Sequence, residues 1–231
     1  MIKIFNDGKD IHSCVVIMST THKKPDDISF EEIKKVSRSA RRDYKSVSFT
    51  ILYGGDAYTI HNQHPEISME KAEEMVKTYF ELFPQIKAYG DWCVEFAEDH
   101  GYIESPYGRR EHLPYINDRD DGRKRMAERQ AKNMPAQSAA SETLVLAMII
   151  IAIKLIEGNY KSKLVNTVHD SLLLDCPDDE VEEVSKMVQW VMENVKSLAP
   201  LYFPSVSLKW MICPLKVDIE IGDYYGSEEK Q

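Results

Sequence analysis

The sequence predicts an α+β fold, mostly helical in its first two-thirds and β-prone later, on three observations. Capping residues and apolar spacings of three and four recur between Ser29 and Gly101. A long helical pattern then runs from about Gly122 to Gly158, polar and basic at first and almost wholly apolar afterwards. Last come two short β-prone runs, KLVNTV and SLLLDC, and a closing strand-like PLKVDIEIG.

Taken in order, Ser29 followed by Glu32 forms a capping box, opening a helix that is expected to run through a basic cluster to Gly54-Gly55. Ser68 before Met69-Glu70 is a second N-cap. Pro84 interrupts that helix, and a further amphipathic stretch from Gln85 ends at Gly101. GYIESPYGRREHLP alternates and carries Pro-Tyr-Gly punctuation, which predicts a short hairpin or loop. Pro135 lies inside the long helical pattern and predicts a kink, and the apolar second half is expected to be buried. KLVNTV and SLLLDC flank His169-Asp170 and predict a hairpin with those two residues at its tip. An acidic amphipathic helix from Asp178 to about Lys196 precedes the last strand.

With 231 residues, 43% of them hydrophobic, the chain can bury a substantial core. The net charge of -9 argues against indiscriminate binding of polyanions, but the charge is segregated. Lys34, Lys35, Arg38, Arg41, Arg42 and Lys45 form one basic cluster, and Arg119, Arg123, Lys124, Arg125, Arg129 and Lys132 another. The four cysteines form no CxxC pair, so neither a zinc knuckle nor a disulfide framework is indicated and a reducing, cytoplasmic setting is expected. The longest apolar run, Leu144 to Ile153, is too short to span a bilayer, and no membrane partner is expected.

Arg41, Lys45, Phe49 and Tyr53 recur every four residues, so two cations and two aromatic rings share one helix face. Neither a core stripe nor a solvated face asks for that mixture. A ligand with a polyanionic end and a flat end would use all four, and a nucleoside triphosphate is such a ligand.

Here the sequence resembles the family A DNA polymerases, whose fingers helix carries R-x3-K-x3-F-x3-Y-G, matched by RRDYKSVSFTILYG. GYIESPYGRREHLP, AERQAKNMPAQSAASE, VHDS and CPLKVDIEIGDYY are similar to further motifs of that family, in the family's order. The resemblance implies fingers over residues 1–118, with a short palm edge at the start, and the C-terminal part of an antiparallel-sheet palm over 119–231. It implies that Arg41 and Lys45 hold the triphosphate, Lys45 also serving the pyrophosphate leaving group, and that His12 adds a third contact. Phe49 and Tyr53 would pack the nascent base pair. Arg129, Asn133 and Gln137, four apart on one helix face, would lie on the primer-template duplex, with Arg109 and Arg110 as weaker backbone contacts. Asp170 would bind magnesium in a two-metal site and His169 would touch the primer terminus.

Ser171 departs from the glutamate usual in the family. The family's upstream D-Y-S-Q-I-E-L-R segment has no match in Met1 to Asp10, and neither Asp7 nor Asp10 is taken as a metal ligand. The expectation is therefore a split polymerase acting in the cytoplasm, that of the host if its origin is viral. Its N-terminal partner polypeptide would carry the missing carboxylate and the thumb. A non-catalytic nucleic-acid-binding remnant and a fragment of a single-subunit RNA polymerase are the alternatives.

Overall fold

The computed structural model describes residues 1–226 and 229–230. It has two compact units, Met1–Ala136 and Gln137–Gln231. The α+β class holds: helices dominate, and three small antiparallel sheets of two strands accompany them among the described residues.

The first unit begins with α1 (Ile2–Asn6) and α2 (Ile11–Thr21), then α3 (Phe30–Lys35), α4 (Arg38–Leu52), α5 (Ala57–Gln63), α6 (Met69–Leu82) and α7 (Pro84–His100). The capping box at Ser29 forms with both of its hydrogen bonds, but the helix it opens does not reach Gly54. It stops at Lys35 because Val36 turns extended and the Ser37 side chain accepts from Ala40 N, capping α4 as a separate helix. The cap at Ser68, Pro84 in the first turn of α7 and left-handed Gly101 after it all follow the sequence expectation.

Helix α4 is amphipathic. Half-buried Tyr44 and buried Val47, Ser48 and Ile51 form an i, i+3, i+4, i+7 stripe that joins Val15 and Met18 of α2, Ile60 of α5 and Met75 and Tyr79 of α6 in one core. Each of the larger aliphatic side chains contributes about 1.5–3 kcal/mol by leaving water. A second core lies under the hairpin β1 (Tyr102–Glu104) and β2 (Arg110–His112), where Cys93 and Ala97 of α7 meet Ile103, Leu113, Ile116, Ala127, Ala131 and Met134. Those last three stand on the opening part of α8 (Asp121–Glu157).

In the second unit, α8 continues into β3 (Lys163–Val168), β4 (Ser171–Asp175), α9 (Val181–Glu193) and α10 (Val195–Tyr202), the last not foreseen in the sequence. The β3–β4 hairpin pairs Val168 with Ser171 and so puts His169-Asp170 at its tip, as expected. The apolar half of α8 is not wholly buried. Thr143, Ala147, Ile150, Ile151 and Leu155 form a buried stripe, whereas Val145, Ile149 and Ile156 are exposed. Leu144–Ile153 is short as a run, yet an 18-residue window of α8 is long and apolar enough by composition to cross a membrane, with 22% of it buried. The expected closing strand is reduced to β5 (Glu220–Ile221), paired with β6 (Glu229–Lys230). Residues 214–219 form no ladder because α9 side chains take the backbone groups of Val217: Gln189 Nε2 donates to its carbonyl at 3.0 Å, and its N–H donates to Glu193 Oε1 at 3.1 Å.

Helix α4 closes on Tyr53, followed by Gly54 at φ +77° and by Gly55, whose N–H donates to Thr50 O at 2.8 Å. A Cβ on Gly55 would lie 2.6 Å from Thr50 Cγ2 and 2.9 Å from the Thr50 carbonyl oxygen. Gly55→Ala should therefore cost about 1–3 kcal/mol in urea unfolding. Thr50→Ser in the same chain should recover only part of that loss, since the carbonyl clash remains.

Candidate functional site

The side chains that α4 turns away from its core gather with the start of α2. Phe49 and Tyr53, 41% and 47% exposed, stack with ring centroids 6.1 Å apart and planes 15° from parallel. Lys45 Nζ lies 5.7 Å from the Phe49 ring centroid, and the His12 ring approaches that same ring to 5.8 Å. The first unit thus brings His12, Lys45, Phe49 and Tyr53 together, with Arg41 one turn earlier on α4.

His12 stands in the first turn of α2. Burial, with help from Arg41 and Lys45 and against the pull of Asp10, pushes its pKa down, so the ring is neutral near pH 7. Its Nδ1 is buried with no hydrogen-bond partner among the described residues. The tautomer carrying its proton on Nε2 avoids burying an unpaired donor and leaves an N–H to offer a ligand.

Arg41 is engaged by a residue that motif reasoning set aside. Its Nε donates to Asp10 Oδ2 at 3.0 Å and its Nη2 to Asp10 Oδ1 at 2.7 Å, a two-point ion pair. Asp10 is also the N-cap of α2, accepting from Ser13 N at 2.8 Å. Burial alone would raise its pKa, but the bonds from Arg41 and Ser13 outweigh that and hold it at about 2. The signal in the sequence was the cap, an Asp directly before a helix start; its bond to a residue 31 positions away leaves no local trace.

Beyond Phe49 and Tyr53 opens a cleft of about 760 Å³. One wall carries Thr50, Gly54, Gly55, Asp56 and Gln63; the other, from α8, carries Arg125, Arg129 and Lys132 with a single acid, Glu128. Arg129 thus lies at the same cleft as the aromatic pair. Asn133 Nδ2 donates to the Tyr53 carbonyl at 3.2 Å, tying α8 to the end of α4. Gln137 follows one turn later, exposed, as the first residue of the second unit.

Arg109 occupies the β1–β2 turn, where its N–H and the Ser105 hydroxyl are 3.2 Å apart, and it does not line the cleft. Arg110 is paired with Glu104 at 2.8 Å and lies over the Tyr102 ring. In the second unit His169 adopts φ +54°, unusual for a residue with a side chain, and projects the exposed Asp170 from the hairpin tip. Ser171 Oγ donates to the Val168 carbonyl at 2.9 Å, so its hydroxyl closes the turn.

A sequence profile of DNA polymerase family A matches residues 1–227. The chain belongs to DNA polymerase family A. It is 36% identical over 199 residues to DNA polymerase I of Streptococcus pneumoniae, covering 86% of this chain and 22% of that protein. It is 30% identical over 230 residues to the thermostable DNA polymerase I of Thermus aquaticus, covering 100% of this chain and 25% of that protein. Among solved structures, the POL domain of Pol1 from M. smegmatis, in complex with DNA primer-template and dNTP, superposes with a TM-score of 0.75 at 30% identity, over 84% of this chain and 32% of that one. The chain therefore spans about a quarter of the length of the curated family A relatives it matches.

The Asp10–Arg41 pair makes an acid prediction for this family A chain. Because the folded-state pKa of Asp10 is depressed from 3.8 to about 2, its contribution is complete above the unfolded value and is lost as pH falls through the folded one. Urea unfolding should find wild type more stable than Asp10→Asn by about 1–2 kcal/mol from pH 7 down to about 4. That difference should shrink as pH falls from about 4 to about 2 and vanish only below that.

Proposed function

We propose that this chain is the fingers, residues 1–118, and the C-terminal part of the palm, residues 119–231, of a template-directed DNA polymerase. It extends a primer 3′ end by nucleotidyl transfer from deoxynucleoside triphosphates. The observation that carries the reading is the α4 face, with Arg41, Lys45, Phe49 and Tyr53 in line and His12 beside them, in a chain of family A. Arg41, Lys45 and the Nε2–H of His12 meet the triphosphate, and Lys45 stabilises or protonates the departing pyrophosphate. Phe49 and Tyr53 pack the nascent base pair. The basic wall of Arg125, Arg129 and Lys132 attracts a nucleic-acid backbone without reading its sequence, and a polymerase must accept every sequence. Asn133, Gln137 and His169 contact primer-template, and Asn133 also fixes the end of α4. The M. smegmatis domain, solved with DNA primer-template and dNTP, supports these ligand classes.

Magnesium belongs to the proposal through Asp170. A two-metal site needs several oxygen ligands per ion, bridged by carboxylates. Among the described residues no three His, Cys, Asp or Glu side chains converge, and the Ser171 hydroxyl is already bonded to Val168. The donors present do not fit a two-metal site unaided, and Asp170 is one ligand of a site completed from outside these residues. We place the second carboxylate on a partner polypeptide that also carries the thumb, the two acting together in the cytoplasm. Apolar side chains exposed on the second unit support such a cover, Ile156 at 79% together with Val145, Ile149, Val165, Leu201 and Ile212.

Primer extension with Mg²⁺ and four deoxynucleotides tests this, using the chain alone and then mixed with a polypeptide carrying a D-Y-S-x-x-E segment. Activity is expected only in the mixture. Extension by the chain alone would put a second carboxylate within it, and none in either arm would favour a binding-only role. In the active mixture Asp170→Ala should lower incorporation by about 1,000-fold or more and Lys45→Ala by about 100-fold. Unchanged incorporation by Asp170→Ala would refute the metal assignment.

A further inference from the structure

We infer that Asp10 is a latch on the nucleotide site: its carboxylate occupies the Arg41 guanidinium until the phosphates of an incoming nucleotide displace it. The inference rests on the reading of Arg41 as a triphosphate contact and adds a specificity-determining residue to it. Two of the five N–H donors of Arg41, Nε–H and one on Nη2, are committed to the two oxygens of Asp10, 3.0 and 2.7 Å away. Those are the donors with which a guanidinium forks onto a carboxylate, and a phosphate would claim the same edge.

Two opposite consequences can be weighed. Holding Arg41 in place spares a ligand the ordering of one long side chain. Against that, the site keeps one negative charge among His12, Arg41 and Lys45, and it acts on every charge of a triphosphate while the benefit of orientation is counted once. His12 is neutral near pH 7, so Asp10 lowers the formal charge of this group from two to one. The electrostatic cost is the larger, and the latch resists binding. Asp10 also stands on a firm base, because its Oδ2 is fixed by Ser13 N at the start of α2, and α2 is packed against α4. The carboxylate therefore does not follow Arg41 when the guanidinium turns to a ligand. A ligand too weakly charged to draw Arg41 away leaves the pair closed. The latch thus favours triphosphates over nucleosides at a site whose stacked Phe49 and Tyr53 rings would accept either.

Asp10→Asn separates the latch from the cap, since Asn caps helices as well as Asp does and keeps the shape of the side chain while removing its charge. Calorimetric titration of the full chain with Mg²⁺-dTTP and with thymidine is the test, after circular dichroism confirms the fold. Asp10→Asn should bind dTTP about 5- to 10-fold more tightly than wild type and leave thymidine unchanged. In an Arg41→Ala background the gain from the same substitution should be smaller than in the wild-type background, because only the through-space repulsion by the Asp10 charge is then relieved. An Asp10→Asn chain that binds dTTP no better than wild type, whether or not wild-type binding is measurable, overturns the latch. Equal gains for dTTP and thymidine overturn it too. Should Arg41→Ala leave dTTP binding at the wild-type level, Arg41 is not a phosphate contact and the underlying reading fails; a loss there with no gain in Asp10→Asn removes the latch alone.

Discussion

Everything proposed for the first unit depends on one constraint, that α4 must be two helices in one. Its Tyr44, Val47, Ser48 and Ile51 stripe is sunk among α2, α5 and α6, and this burial supplies the free energy that holds the helix. Because successive residues turn by 100°, the stripe at 41, 45, 49 and 53 starts beside the buried one and winds away from it, so that Phe49 and Tyr53 face nearly opposite Val47 and Ile51. Its bases and ends are therefore steadied by the core while its tips stay accessible. A rotation of α4 by one residue would bury Lys45 and expose Val47, and both changes cost free energy. The ligand face is positioned by packing that never touches a ligand.

The end of α4 is as tightly specified as its faces. Gly54 takes a left-handed conformation, and a side chain there would crowd Arg129 Cγ at 3.2 Å. Gly55 returns its N–H to Thr50, and Asp56 caps α5 at once through Thr59 N at 2.9 Å. The Tyr53 carbonyl, which an ordinary helix end would leave to water, is taken by Asn133. The stacking ring of Tyr53 is thus fixed from its own backbone by a residue 80 positions later. The turn and the opposite cleft wall are built as one piece, with small residues where they meet.

The parts of this architecture visible in the sequence are those encoded locally. The capping box at Ser29, the caps at Ser68 and Gly101, the hairpin tip at His169-Asp170 and the four-residue spacing from Arg41 to Tyr53 each depend on residues a few positions apart. One misreading is local, a cap overlooked within a periodic pattern; the others fall where distant groups compete. Ser37 captured Ala40 N and divided a helix that periodicity alone would join. Val217 found its partners in Gln189 and Glu193 and so never entered a ladder, although PLKVDIEIG has the composition of a strand. The apolar half of α8 reads as core on composition, but burial is decided by what is available to cover it. The Asp10–Arg41 pair was hidden for the same reason: each residue has its own local explanation, as a cap or as part of a basic cluster, and only the packing of α2 on α4 joins them.

That pair also shows how stability and function pull apart at such a site. A bidentate pair between α2 and α4 supports the fold and gives the Arg41 guanidinium a partner. A binding site made for polyanions would do better without the carboxylate, because like charges compete for one guanidinium. The two demands meet because Asp10 is partly exposed, with a side chain 29% accessible, so water can take up the carboxylate when Arg41 leaves it. In a fully buried pair the abandoned charge would make exchange prohibitive. On the proposed reading, exchange at the rim of α2 is a balance between two anions, one built into the chain and one brought by the ligand, and the greater charge of a triphosphate would decide it.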